Sequence, residues 1–227
     1  MFVGNVMKFI KIFLLTGIIF ALQNNCHSAE FLEIVGLGVA GAVAYGTMHN
    51  LVAANVCLPF FTLGLNGART KQYWNGPFSG RCRSVLERYP NSPTIHGLVW
   101  GAVSGWRVGF PLGLLLGAAS QVGPWPTVGA SELVKPLAIT MGGIGLVALA
   151  AGACSYVSPK NRQWFAWEQP KKMHPVHEDD SNPMKGVPID DRLRWKANSS
   201  AQNAAYTAGI LSGVGLAVYV LSRRIAG

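Results

Sequence analysis

Two histidines, two asparagines and a tyrosine stand where acid–base chemistry could occur. His49 and Asn50 lie near the end of one long apolar run, and His96 opens the next. Gln202, Asn203 and Tyr206 open the last. If these run ends share one depth, the histidines gather among amide and phenol partners, and histidine is the side chain best suited to exchange protons near neutral pH. No nucleophile accompanies them in a recognisable pattern, and helix ends at a membrane surface are ordinarily polar. Arg107, with Ser104 one turn before it, lies deeper, in the middle of an apolar run. A charge at that position costs about 2.5–3.5 kcal/mol on insertion scales. Pro111, four residues on, cannot donate to the carbonyl of residue 107. A guanidinium beside a freed carbonyl and Gly109 suits either an anion or polar-ligand site at a local break, or a clamp on carbonyls of a neighbouring helix. On a helical wheel His96, Val103, Arg107 and Leu114 fall within about 20° of one another, flanked by Trp100 and Phe110.

Other candidate motifs carry less. Gly36, Gly38 and Gly41 match G-x-G-x-x-G after an apolar stretch, but no Asp or Glu occurs between Glu33 and Glu87 to hold a ribose hydroxyl. No alternation of strands and helices follows. His174 and His177 precede Glu178, Asp179 and Asp180, which are metal-ligand types. Pro175 breaks a helical presentation, and nothing fixes a fourth ligand. No metal and no cofactor is implied. Four cysteines show no paired metal spacing.

The elements that must position these residues are membrane spans. Of 227 residues, 50% are hydrophobic and 13% charged, against about 25% charged in soluble domains. Four runs reach the roughly 20 apolar residues a bilayer core requires: 32–55, 96–120, 136–157 and 200–222. The expected fold is an all-α, four-transmembrane-helix bundle with small-residue packing. The expected organisation is a signal peptide or uncleaved anchor over 1–29, helices over 30–55, 96–120, 136–157 and 200–222, connections at 56–95, 121–135 and 158–199, and a tail at 223–227. The first segment has Lys8 and Lys11, a short apolar stretch from Ile12 to Leu22, and an exit at His27-Ser28-Ala29.

Charge orients the spans. Loop 56–95 carries Arg69, Lys71, Arg81, Arg83 and Arg88; loop 158–199 carries Lys160, Arg162, Lys171, Lys172, Lys185, Arg192, Arg194 and Lys196. The opposite side holds Lys135, Arg223 and Arg224. The positive-inside rule puts both long loops in the cytosol and the C-terminal tail outside. On that side no disulfide is expected of Cys57, Cys82 or Cys154. The net charge of +9 then faces anionic lipid headgroups and implies no nucleic-acid partner. Tyr73, Trp74, Trp164, Phe165, Trp167 and Trp195 are expected to anchor loops at the interface.

Packing follows from glycine. Gly97, Gly101, Gly105, Gly109, Gly113 and Gly117 recur every fourth residue, a spacing that lets helix backbones approach closely in lipid. Ala201, Ala205, Gly209, Gly213 and Ala217 repeat it in the last run. These two helices are the expected partners, with the first helix, whose Gly36, Ala40 and Ala44 offer a similar face, as a third. The same surfaces could join two copies of the chain or a membrane-protein partner.

The segment Ala44-Tyr45-Gly46-x-x-His49 with Cys57 and Phe60-Phe61-Thr62, then Trp100-Gly101, Trp106-x-x-Gly109 and Asn203-x-x-Tyr206-x-x-Gly209, resembles a family of small, signal-bearing bacterial membrane proteins with four spans. The resemblance covers about three-quarters of the chain. It implies a bacterial inner membrane and no known activity. The family's histidine before the asparagine is Gln202 here, so a two-histidine mechanism does not carry over. Three function classes follow: a structural or assembly component, a channel or transporter component using Arg107 and Pro111, and a membrane-embedded enzyme using His49 and His96. They stand in that order.

Overall fold

The computed structural model describes residues 28–65, 79–121, 123–158 and 189–226. The signal or anchor segment before residue 28, the histidines at 174 and 177, and the aromatics at 73, 74, 164, 165 and 167 lie outside them. Five α-helices occur among the described residues: α1 (Ser28–Val56), α2 (Ser79–Arg88), α3 (Pro93–Gln121), α4 (Ala130–Val157) and α5 (Ile189–Ala226), with a π-helical turn at Phe60–Leu65 after α1. No strand occurs among them. The helices α1, α3, α4 and α5 are each long and apolar enough to cross a membrane. In hydrocarbon every backbone N–H and C=O must be satisfied within its own segment, and an α-helix does this. The protein is therefore an all-α, polytopic membrane protein.

Several boundaries differ from those expected. The connection 56–95 contains the π-helical turn and α2. α5 starts at Ile189, well before its apolar run, so residues 189–199 are helix rather than loop. The expected tail is the last turn of α5, which runs to Ala226. α4 begins at Ala130 and carries Pro136 inside it.

Contacts divide the chain into two compact units whose boundaries cut all four long helices. The first unit holds residues 28–45, 103–144 and 207–226 among those described. Its apolar core is built on Ile34, Leu116, Leu133, Leu216, Ala217 and Val220. The second unit holds residues 46–102 and 145–206, with both long connections. Its core joins Ala53, Ala54, Cys57, Phe60, Phe61, Leu86, Trp100 and Trp195. Each unit thus takes alternate ends of successive long helices, which run antiparallel.

The glycine ladder of α3 faces α1. In the second unit a Cβ on Gly97 would stand 2.7 Å from Leu51 Cα, and one on Gly101 would overlap Thr47 Cα. In the first unit Gly105 meets Val43 Cα at 2.6 Å, Gly109 meets Val39 Cα at 2.9 Å, Gly113 meets Val35 Cα at 3.1 Å and Gly117 meets the Phe31 ring at 3.0 Å, measured the same way. Each step of four along α3 is answered by a step of four back along α1. The expected mate, the small-residue stripe of α5, does not fill this role. Its Ala201 lies against Gly152 of α4, Gly213 meets only the Leu112 side chain, and Gly209 has nothing within 4 Å. From Gly97 to Gly113 the α1 atoms met are mainly backbone, the Cα atoms of Val35, Val39, Val43, Thr47 and Leu51 and the carbonyl groups beside them, so the two helices approach backbone to backbone where glycine removes the side chain. Valine and threonine lose little on packing there, because helix sterics already restrict χ1.

The α3–α4 connection is fastened by α5. Gly123, at φ 105°, takes the left-handed conformation that ends a helix and favours glycine. Arg224 is 2% exposed. Its Nη1 donates to the Ala119 carbonyl at 2.6 Å, Nε to Pro126 at 2.7 Å and Nη2 to Trp125 at 3.1 Å. Ala119 is in the last turn of α3, where carbonyls have no partner within the helix. A cation there also complements the negative end of the helix dipole. Gln121 Nε2 donates to Val128 O at 3.0 Å, closing the turn on itself.

Candidate functional site

The polar side chains gathered in the second unit are set there by three helices. α3 starts cleanly: Ser92 caps it, its Oγ accepting from Ile95 N at 3.3 Å, and Pro93 occupies the first helical position, where its missing N–H is harmless. That start carries His96 into the interior, with no measurable exposure. Among the described residues neither ring nitrogen has a well-formed hydrogen-bond partner, although the Pro90 carbonyl lies near enough to act on the ring. Trp100, one turn on, belongs to the core of this unit.

α1 and α5 meet here through a polar seam. Gln202 Nε2 donates to Asn50 Oδ1 at 2.9 Å. Asn198 Nδ2 donates to the Ala53 carbonyl at 2.8 Å. The Cys57 thiol lies 3.8 Å from the Asp191 carbonyl. The partners ascend α1 as they descend α5, so the seam follows the antiparallel course of the two helices. Beside it Trp195 sits edge-on to Phe60, ring centroids 5.2 Å apart, and Phe60 edge-on to Phe61 at 5.3 Å. Trp195 is therefore a core residue and not an interfacial anchor. The cause is the early start of α5, which brings residue 195 under the π-helical turn.

Of the residues expected to share a polar layer, Asn50 and Gln202 are joined directly. His96 is sealed within the unit and His49 is half-buried. Asn203 and Tyr206 face outward from α5. Asn198 and Cys57 belong to the seam and were not anticipated. Asn198 could have been found: Trp195, Asn198, Gln202 and Ala205 recur at three- and four-residue steps, which continues one helical face back beyond the apolar run.

The wheel had aligned His96 and Arg107, and here it misleads. His96 is buried, Leu114 is buried, Ser104 and Val103 are half-buried, and Arg107 is exposed. A wheel projects every level of a helix onto one circle, whereas burial depends on what lies alongside at each level. α3 continues as α-helix through Pro111. Arg107 stands on the exposed side of that helix, one turn before Pro111.

The chain matches no protein family, no curated protein and no solved structure. Among the described residues no group of three or more His, Cys, Asp or Glu is placed to hold a metal ion. Cys57, Cys82 and Cys154 are free thiols. Cys57 lies just past α1 and is 2% exposed. Burial pushes its thiol up from the usual range, against a smaller opposing pull from the Phe60 backbone N–H. That raised value makes it a poor nucleophile near neutral pH. Amides thus bridge α1 and α5, and His96 is fully buried in the same unit.

Proposed function

We propose that this protein is a structural, assembly or interaction component of a bacterial inner membrane and not an enzyme. The observation carrying this reading is the Gln202–Asn50 bond, together with the Asn198–Ala53 bond. These polar side chains close on helix–helix contacts, the commonest use of amides inside a membrane. The enclosure of His96 supports the same reading, because a catalytic histidine has to reach its substrate.

The bacterial inner membrane rests on the family resemblance and on the basic loops. Thirteen of the lysines and arginines lie in the connections 56–95 and 158–199, the latter including the first turns of α5, and the positive-inside rule favours a cytosolic side for both, beside anionic headgroups. Residues 1–29 serve as the export signal or anchor. Partner contacts use surfaces other than the α3 glycines, since an oligomer built on those would have to displace α1.

Purification in mild detergent followed by native mass measurement tests the reading. A membrane protein held in stoichiometric amount is the expected result. A small anion lost in Arg107→Leu would instead favour a channel or transporter. A modified lipid that depends on His49 would favour an enzyme.

A further inference from the structure

We propose that the exposed face of α1 docks the α4 of a second copy of this chain, so that Glu33 of one copy meets Lys135 of the next. This rests on the assembly reading above and names the partner.

The α1 face belongs to the first unit. From Glu33 to Ala44 the exposed positions are Glu33, Gly36, Ala40 and Ala44. At 100° per residue Ala40 and Ala44 fall within about 20° of Glu33. Nothing comes within 4 Å of a Cβ built on Gly36. In the same unit α5 exposes Ile210, Leu211, Val214, Val218 and Tyr219, the bulky side chains of an ordinary lipid-facing stripe. A face of glycine and alanine instead lets another helix approach closely.

α4 presents a matching face, also in the first unit. Lys135, Ala138 and Gly142 are exposed, and a Cβ on Gly142 too would have nothing within 4 Å. Gly142 falls within about 20° of Lys135, with Ala138 about 60° to its side. Leu137 and Met141 occupy the opposite side of α4, where they meet Gly41 of α1. The Lys135 face therefore points away from the α1 of its own chain.

Levels agree as well. α1 and α4 both run antiparallel to α3 and so parallel to each other. Gly41 contacts both Leu137 and Met141, which sets Ala40 level with Ala138 and Ala44 level with Gly142. Copies of one membrane protein share orientation and depth, so these levels hold between neighbours. Glu33 then stands about 6 Å, roughly one turn, outward of Lys135. Helical side chains lean toward the N-terminus, here outward, and a lysine stem can span that distance with its ammonium at the aqueous edge.

Charge decides the occupant. The α1 face calls for a cation at this level and the α4 face for an anion, and this chain carries both. Among the described residues neither Glu33 nor Lys135 has an ionic partner. Pairing two α1 faces would oppose Glu33 to Glu33, and pairing two α4 faces would oppose Lys135 to Lys135. The contact is therefore head-to-tail, the kind that closes into a ring of three or more copies and not into a twofold dimer.

The test places a benzophenone amino acid at Leu32, an exposed side chain beside Glu33, in a full-length copy expressed with a second copy bearing a different tag. Intact membranes are irradiated and the adduct is sequenced. The expected adduct joins this position to residues 130–139 of the other copy, in the first turns of α4. Native mass in mild detergent should give a whole multiple, three or more, of the chain mass. Glu33→Lys in both copies, or Lys135→Glu in both, should lower the yield by at least about tenfold. A probe-bearing Glu33→Lys copy expressed with a Lys135→Glu copy should recover it. Gly142→Leu, which fills the α4 face and leaves the charges alone, should lower it too. Circular dichroism and protease resistance unchanged from the parent separate lost docking from lost folding. If a charge variant fails to fold, Gly142→Leu decides. An adduct with the α1 of a second copy or with lipid alone overturns the proposal, as does a yield indifferent to these variants. A different membrane protein captured in stoichiometric amount overturns this inference and leaves the assembly reading standing; a monomer with no protein partner removes both.

Discussion

Gly105 lies so close to α1 that a Cβ on it would stand 2.5 Å from the Ala42 carbonyl oxygen. The obstruction is backbone, which cannot rotate away as a side-chain tip can. Gly105→Ala should therefore destabilise the bundle by about 1–3 kcal/mol, the usual cost of overpacking. Gly143 has nothing within 4 Å of the equivalent position, so Gly143→Ala should be close to neutral. Denaturant titration of both variants in detergent checks the contrast. Equal effects would show that the ladder is not the contact described.

Removal of the Arg224 side chain should cost more than its exposed neighbour. Arg224→Leu leaves the Ala119, Trp125 and Pro126 carbonyls without their donor, a loss of about 1.5–3 kcal/mol for a charged hydrogen-bonding group. Arg224→Lys should recover only part, because an ammonium lacks the planar fork that reaches several carbonyls at once. Arg223 is 3.9 Å from Glu132 and both side chains are about half exposed, so Arg223→Leu should change little. Thermal midpoints, with proteolysis across residues 122–129, separate these outcomes.

The seam between α1 and α5 should show measurable but small coupling. A double-mutant cycle on Asn50→Ala and Gln202→Ala is expected to give about 0.6 kcal/mol, with about 1.7 kcal/mol as the upper range for such bonds in a membrane. No coupling at all would mean that the two amides do not meet in the folded protein.

Cys57 should resist alkylation while exposed Cys154 reacts. Its thiol is raised by burial, so the folded protein holds that proton more tightly than the unfolded chain does. The resulting stability is complete below the ordinary thiol range of about 8.5. It declines as pH rises through the higher folded value. Maleimide labelling across pH 7–10, read residue by residue by mass, should find Cys57 reacting late and Cys154 early. Equal rates would contradict the burial of Cys57.

Much of this organisation could be read before folding was considered. Four apolar runs announce four helices because the bilayer allows few alternatives. The glycine spacing announces a close contact, and Asn50 and Gln202 were expected at one depth. Pairing was less legible. A row of glycines states that something comes close, and only the three-dimensional arrangement chooses the backbone of α1 over the small residues of α5. In the sequence Arg224 is one of three basic residues on the side opposite the basic connections. Its role depends on carbonyls some 98 to 105 positions away, and no local pattern encodes that. Residues 189–199 looked like a loop because they are polar, although their apolar members already keep helical spacing.

The fastening of the α3–α4 turn also sets an order of events. Arg224 follows Pro126 by 98 residues, which at about 5–20 residues per second takes about 5–20 s of synthesis. During that interval α1 and α3 can already mate along the glycine groove, while the turn they lead into still lacks its last fastening. The turn therefore gains its last hydrogen bonds only when the end of the final helix exists, so the arginine acts as a clasp set at the very end of the chain's synthesis.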